Sequence, residues 1–197
     1  LSARPYAVAS LEIAENLLSH TPVELMPALF VRREMRKSCL LVVTSDKGLA
    51  GAFNANVLKK AEAHSDQYRV LRRPYILMTV GKKAKDYFEK RGMAPGKSFW
   101  GYGDYSTIDE TREVADALLA GFLDRSWDEV QTCYMNFRST LLQEAVVKKI
   151  LPATKESIRE AVTSILPERG RYAESRIKNQ ESSPEYSYEY KFEPSPA

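Results

Sequence analysis

The sequence predicts an α/β fold, a doubly wound sheet of about five strands, mostly parallel, with an antiparallel edge hairpin and flanking helices. Three observations predict it. The first is the unit Leu40–Val57, LLVVTSDKGLAGAFNANV, where an apolar run gives way to a polar glycine loop and then a helical stretch. The second is another apolar run, Tyr75–Val80, closed by Gly81 and followed by a Lys-rich helix. The third is a pair of strand-like runs, Val130–Phe137 and Ala145–Leu151, joined by the short linker Arg138–Glu144. Strand, loop and helix in succession, ended by a hairpin, make a Rossmann-like sheet with one antiparallel edge.

Each element has its own signal. Pro5–His20 is helical by pattern, with Tyr6, Leu11, Ala14, Leu17 and Leu18 tracing an apolar stripe that Thr21-Pro22 ends. Arg32, Arg33, Glu34, Arg36 and Lys37 form a solvated lead-in to the first strand. Leu40–Val43 is a continuous apolar run, as in a strand buried on both faces. It stops at Thr44-Ser45-Asp46, whose short polar side chains favour turns and helix N-termini. Gly48 and Gly51 let the backbone bend tightly or approach another surface, and a helix is expected from Asn54.

The second helix, Lys82–Arg91, is expected to end at a left-handed Gly92, and a third β segment falls around Ser98-Phe99-Trp100. Gly101–Tyr105 is a loop rich in glycine and tyrosine. Thr107-Ile108-Asp109-Glu110 has the T-x-x-E form of a capping box. It opens a long helix whose expected buried stripe is Val114, Leu118 and Phe122 with Ala115 and Leu119. Glu156–Leu166 carries Ile158, Val162 and Ile165 at helical spacing, and 167–184 is charged, Ser-rich and linker-like. Tyr186, Tyr188, Tyr190 and Phe192 then alternate with Ser187, Glu189, Lys191 and Glu193, a strand signal that Pro194 stops.

Composition narrows the function. Lys and Arg number 29 against 26 Asp and Glu, for a net charge of +3, a balance that argues against a nucleic-acid surface. The apolar fraction of 44% is enough for a core, and the longest apolar runs are strand-sized rather than spanning. This composition reads as that of a cytosolic chain. Cys39 and Cys133 both fall in predicted strands, where cysteine is a small buried hydrophobe rather than a disulfide or metal ligand.

No reaction assembles itself from these residues. A dinucleotide fingerprint needs G-x-G-x-x-G and a P-loop needs a Lys after its last glycine. The loop offers only Gly48 and Gly51, with Lys47 ahead of both. Asp46 and Lys47 could meet a phosphate or a metal, but caps and turns use the same residue types. Ser45 is not set in G-x-S-x-G, and His20 and His64 have no partner at ligand spacing, so both are expected as exposed helix residues. A small α/β enzyme binding phosphate or nucleotide at Ser45–Gly51 is the alternative reading.

A family resemblance is more specific. SDKGLAGAFN, Ser45–Asn54, closely resembles the segment S-D-[RK]-G-L-x-G-x-x-N of the gamma subunit of F-type ATP synthases. ARPYA near the N-terminus, Val80-Gly81 before a Lys-rich helix, VVKKILP, and YKFEPSPA stand in the order that family shows. The resemblance therefore covers nearly the whole chain. Lys47 and Ala50 replace the Arg and Cys common in the family, Ala153–Pro184 is longer than usual, and the paired cysteines of chloroplast versions are missing.

This resemblance implies a central rotor-stalk subunit, non-catalytic itself and without a cofactor, metal or direct small-molecule substrate. Its implied partners are the alpha and beta subunits, the epsilon subunit (delta in mitochondria) and the membrane rotor ring. Its implied place is the cytoplasmic face of a bacterial plasma membrane, or the matrix face of the mitochondrial inner membrane. Interface candidates are Ser45, Asp46, Lys47, Gly48, Leu49, Gly51 and Asn54 toward the beta subunits, and Tyr190, Phe192 and Glu193 toward the ring. The resemblance divides the chain into the end of a shaft helix (1–20), the globular domain (21–152), a short helix and charged linker (153–185), and a terminal strand (186–197). It reads as the globular domain alone, without the long terminal helices of the family.

Overall fold

In the computed structural model, which describes residues 4–48, 50–102, 107–139 and 142–165, β1 (Ser38–Val43) holds the centre of a five-stranded sheet. Five of its six residues are buried, as its unbroken apolar run requires. The order is β3-β2-β1-β4-β5, with β2 at Tyr75–Val80, β3 at Lys97–Phe99, β4 at Glu129–Phe137 and β5 at Gln143–Leu151. β1 pairs in parallel with β2, Leu41 opposite Met78, and with β4, Leu41 opposite Thr132. β3 continues the parallel arrangement, whereas β5 runs antiparallel to β4. The expected sheet and its edge hairpin are both present.

Among the described residues five α-helices accompany it: α1 (Arg4–His20), α2 (Phe53–Val70), α3 (Lys82–Glu89), α4 (Ile108–Leu123) and α5 (Lys155–Ile165). Alternation along β1 splits the core. Leu40 and Val42 face α2 and α3, meeting Val57, Leu58, Ala61, Ala84 and Phe88. Cys39 and Leu41 face α4, meeting Val114, Leu118, Phe122 and Trp127. Helices cover both faces, so the sheet is doubly wound. α5 lies between α1 and β5, with Arg159 Nε 2.5 Å from Glu15 Oε1.

Several expectations need correcting. In α4 the capping box forms as predicted, but Ala115 is exposed. Steps of three and four from Val114 reach Ala117, Leu118, Gly121 and Phe122, and those positions turn inward. Gly121 is bare because the Trp127 indole lies against it, where a Cβ would come within 2.1 Å of Cζ2. α3 ends at Glu89, earlier than Arg91, though Gly92 closes it at φ 72° as expected. There Gly92 N–H bonds Glu89 O at 3.0 Å and Met93 N–H bonds Phe88 O at 2.9 Å. Trp100 lies beyond β3, half exposed at 50%, with Lys85 Nζ 4.3 Å above its ring.

His64 is half-buried rather than exposed, because α2 lies across β4. Its ring meets Tyr68 edge-on at 5.0 Å and its Nε2 sits 2.5 Å from Gln131 Oε1. His20 is exposed, as expected, with Nδ1 2.8 Å from Asn16 O. Cys39 and Cys133 are free and fully buried, and desolvation pushes their thiols up to about 12 and about 11. The expected linker at 167–184 and strand at 186–192 lie outside the described residues.

Candidate functional site

The loop after β1 sits at the carboxyl end of the parallel strands, beside the starts of α2 and α3 and the residues following β3. Its shape comes from side chains that bond backbone. Asn54, in the first turn of α2, accepts the Ser45 amide on Oδ1 at 3.0 Å and donates from Nδ2 to Ser45 Oγ at 2.8 Å. Ser45 Oγ donates in turn to Lys47 O at 2.6 Å. Ser45 and Asn54 therefore pinch the loop shut at its base. Gly51 makes the turn into α2 at φ 55°, with open space where a Cβ would be.

Asp46 faces inward. Its Oδ1 accepts the Lys82 amide at 2.7 Å and its Oδ2 accepts the Gly101 amide at 2.8 Å. Thr44 Oγ1 accepts the Ala84 amide at 2.9 Å. The N-cap of α3 is Gly81, which has no side chain, so Thr44 and Asp46 of the β1 loop supply the caps. Gly81 has φ 92°, and a Cβ there would fall 2.2 Å from Thr44 O. Contact this close locks the β1 loop to the head of α3. The N-terminal amides of α3, which could otherwise cradle a phosphate, are occupied from within the protein.

The outer surface of this region is basic. Lys47, Lys82 and Lys83 are exposed, and Lys83 Nζ stands 3.5 Å from where a Gly48 Cβ would lie. Burial, followed by the carboxylates of Glu113, Glu110 and Asp46, holds the Tyr102 phenol above its usual range. Of the candidate residues, Ser45, Asp46, Lys47, Gly48, Gly51 and Asn54 come together here, while Leu49, Tyr190, Phe192 and Glu193 lie outside the described residues. Sequence reasoning missed Thr44, Gly81, Lys82 and Gly101 as members of the site. A signal existed: a helix opening Gly-Lys-Lys carries no capping side chain of its own and needs one from elsewhere.

The family model described as ATP synthase matches residues 1–197, the whole chain. This chain belongs to the ATP synthase gamma-chain family. It is similar to the ATP synthase gamma chain of Moorella thermoacetica, 35% identical over 77% of this chain and 52% of that one. The gamma chain of Acaryochloris marina is 34% identical over 80% of this chain and 50% of its own length, and that of Chloroflexus aurantiacus is 33% identical over 90% and 66%. The chain spans about half the length of the first two of these relatives. A solved chain from the central stalk of the Tetrahymena thermophila mitochondrial ATP synthase overlays 91% of this chain and 82% of its own, at 14% identity and a TM-score of 0.49. Membership rests on the sequence matches.

Proposed function

We propose that this chain is part of the central rotor stalk of a proton-translocating ATP synthase, coupling rotation to ATP synthesis on the alpha and beta subunits without catalysing a step itself. The observation that carries the reading is the family match over the full length of the chain. The loop's geometry agrees with it. The amides of Lys82 and Ala84 are already bonded to Asp46 and Thr44, which leaves the loop's basic outer face as its working surface. Lys47, Lys82 and Lys83 suit an acidic partner, and the lower helical regions of the beta subunits are the proposed one.

The remaining partners follow from the same reading. The epsilon subunit (delta in mitochondria) and the membrane rotor ring bind at the foot, with Tyr190, Phe192 and Glu193 in the segment that meets the ring. The complex lies on the cytoplasmic face of a bacterial membrane or the matrix face of a mitochondrial one.

Rotation itself is the test. Lys90 is exposed, while both native thiols are buried and held protonated, so a Lys90→Cys variant takes a single label. A bead on that thiol in the assembled enzyme should turn stepwise against immobilised alpha and beta subunits during ATP hydrolysis. A bead that stays still while hydrolysis proceeds would overturn the reading. Saturable micromolar binding of ATP, ADP or NAD to the free chain would favour the small-enzyme alternative.

A further inference from the structure

β5 is one of the two outer strands of the described sheet, nine residues long against three in β3, and no strand among the described residues pairs with its far side. An open edge of that length is a template for another strand. Each face of this edge carries a groove. Toward α2 lies a cavity of about 360 Å³, floored by Ala145 and Val147 and rimmed by Lys60, His64 and Gln67. Toward α5 lies one of about 470 Å³, bordered by Val146, Lys148 and Arg159. Short side chains on the β5 floor leave room for large ones beside it.

We propose that residues 186–192 of this same chain add to β5 as a further strand, with Tyr186 and Tyr188 seated in the α2-side groove. Four observations converge on that occupant. The segment alternates with period two in sequence, so as a strand it would carry its rings on one face and its Glu and Lys side chains on the other. Tyrosine combines a broad apolar ring with a polar tip, which matches an Ala/Val floor inside a Lys/His/Gln rim. With the rings in that groove, Glu189 turns toward the α5 side, where Lys148 offers the opposite charge. α5 packs on the same strand and ends at Ile165, so the tether 166–185 has 20 residues (185 − 165). Such a tether reaches up to roughly 66 Å, while β5 is only about 30 Å long, so either strand direction is open to it.

The added strand closes the edge against pairing with another molecule. It also holds Glu193 at the strand's end, next to the grooves instead of inside them. The inference rests on the sheet edge and the alternation, and stands apart from the rotor-stalk reading.

Hydrogen exchange of the full chain, free in solution, tests it. Slow exchange is expected both at residues 186–192 and at the outward amides of β5. Tyr188→Pro removes one donor and one ring, and should speed exchange in the 143–151 peptide at least tenfold while leaving β1 and β2 unchanged. A Tyr186→Ser, Tyr188→Ser double variant keeps every backbone donor and serves if the proline variant fails to fold; it too should speed β5 exchange. Exchange of 186–192 at unstructured rates would overturn the proposal, as would β5 protection indifferent to these variants. β5 protection that appears only with other subunits bound assigns the edge to a partner. Protection that grows with chain concentration assigns it to a second copy. Both outcomes also overturn it.

Discussion

Asp46 accepts the backbone amide of Lys82 at 2.7 Å, so a residue in the loop after β1 caps a helix that starts 36 positions later. Its second oxygen holds the Gly101 amide at 2.8 Å. One carboxylate thereby joins the β1 loop, the head of α3 and the exit of β3.

Removing that carboxylate should be felt well beyond the loop. Asp46→Ala leaves two backbone donors without their partner and should lower stability by about 1–2 kcal/mol. Asp46→Asn keeps an acceptor for Lys82 and should lose roughly half as much. Urea unfolding of both variants measures the difference. An alanine variant as stable as the parent would show that the cap is replaceable.

Two glycines of the same region should behave oppositely. Gly81→Ala drives a Cβ into Thr44 O at a φ of 92°, and should cost about 3 kcal/mol or more. Gly48→Ala meets only the flexible end of Lys83, 3.5 Å away, and should change stability by less than about 0.5 kcal/mol. Thermal unfolding distinguishes them, and equal effects would refute the contact.

Alkaline pH should destabilise the fold through the buried thiols. Desolvation raises Cys39 to about 12 and Cys133 to about 11, above the ~8.5 of an unfolded cysteine. The folded chain then holds more protons than the unfolded one, so stability is full below the unfolded value and falls as pH rises. Between pH ~9 and ~11 each thiol should remove about 1.4 kcal/mol per pH unit. Denaturation at pH 7, 9 and 10.5 checks this, and Cys133→Ala should flatten the slope by one thiol's share. A slope that this variant leaves untouched would place the effect elsewhere.

Gly51→Val should separate folding from coupling. Nothing lies within 4 Å of the added Cβ, so only the left-handed backbone is strained, by roughly 1–2 kcal/mol. The isolated chain stays folded by circular dichroism. In the assembled enzyme, bulk on the loop should block its proposed approach to the beta subunits, and coupled ATP synthesis should drop. Full coupling in that assembly would remove the loop from the interface.

Glu193→Cys addresses the other end. In the intact enzyme it should crosslink to a cysteine placed in the polar loop of the rotor ring, and not to the beta subunits. A crosslink to beta would put the segment on the opposite side of the domain.

Sheet and helices were legible because their signals are local. β1 is apolar from Cys39 to Val43, a glycine directly follows β2, and Thr107 and Glu110 cap each other within one turn. The candidate loop was legible as a place but not as a mechanism. Asp46 looked like a residue that could meet a ligand, and its real partners, Lys82 and Gly101, are 36 and 55 positions away, where periodicity carries no information. Ala115 and His64 were misjudged for related reasons. The helix's phase and its neighbour Gln131 are decided by packing across the sheet.

The tie at Asp46 has a mechanical meaning. A loop hinged only at its two ends bends under load and dissipates a push as local motion. This one is braced at its third residue, Asp46, to a helix and to the connection after β3, with Gly81 backed against Thr44 O. Deflecting it would break several amide-to-side-chain hydrogen bonds together, so a lateral force would be shared among three connections. Such bracing would suit a surface that has to pass a displacement to a neighbour, as the proposed stalk role requires.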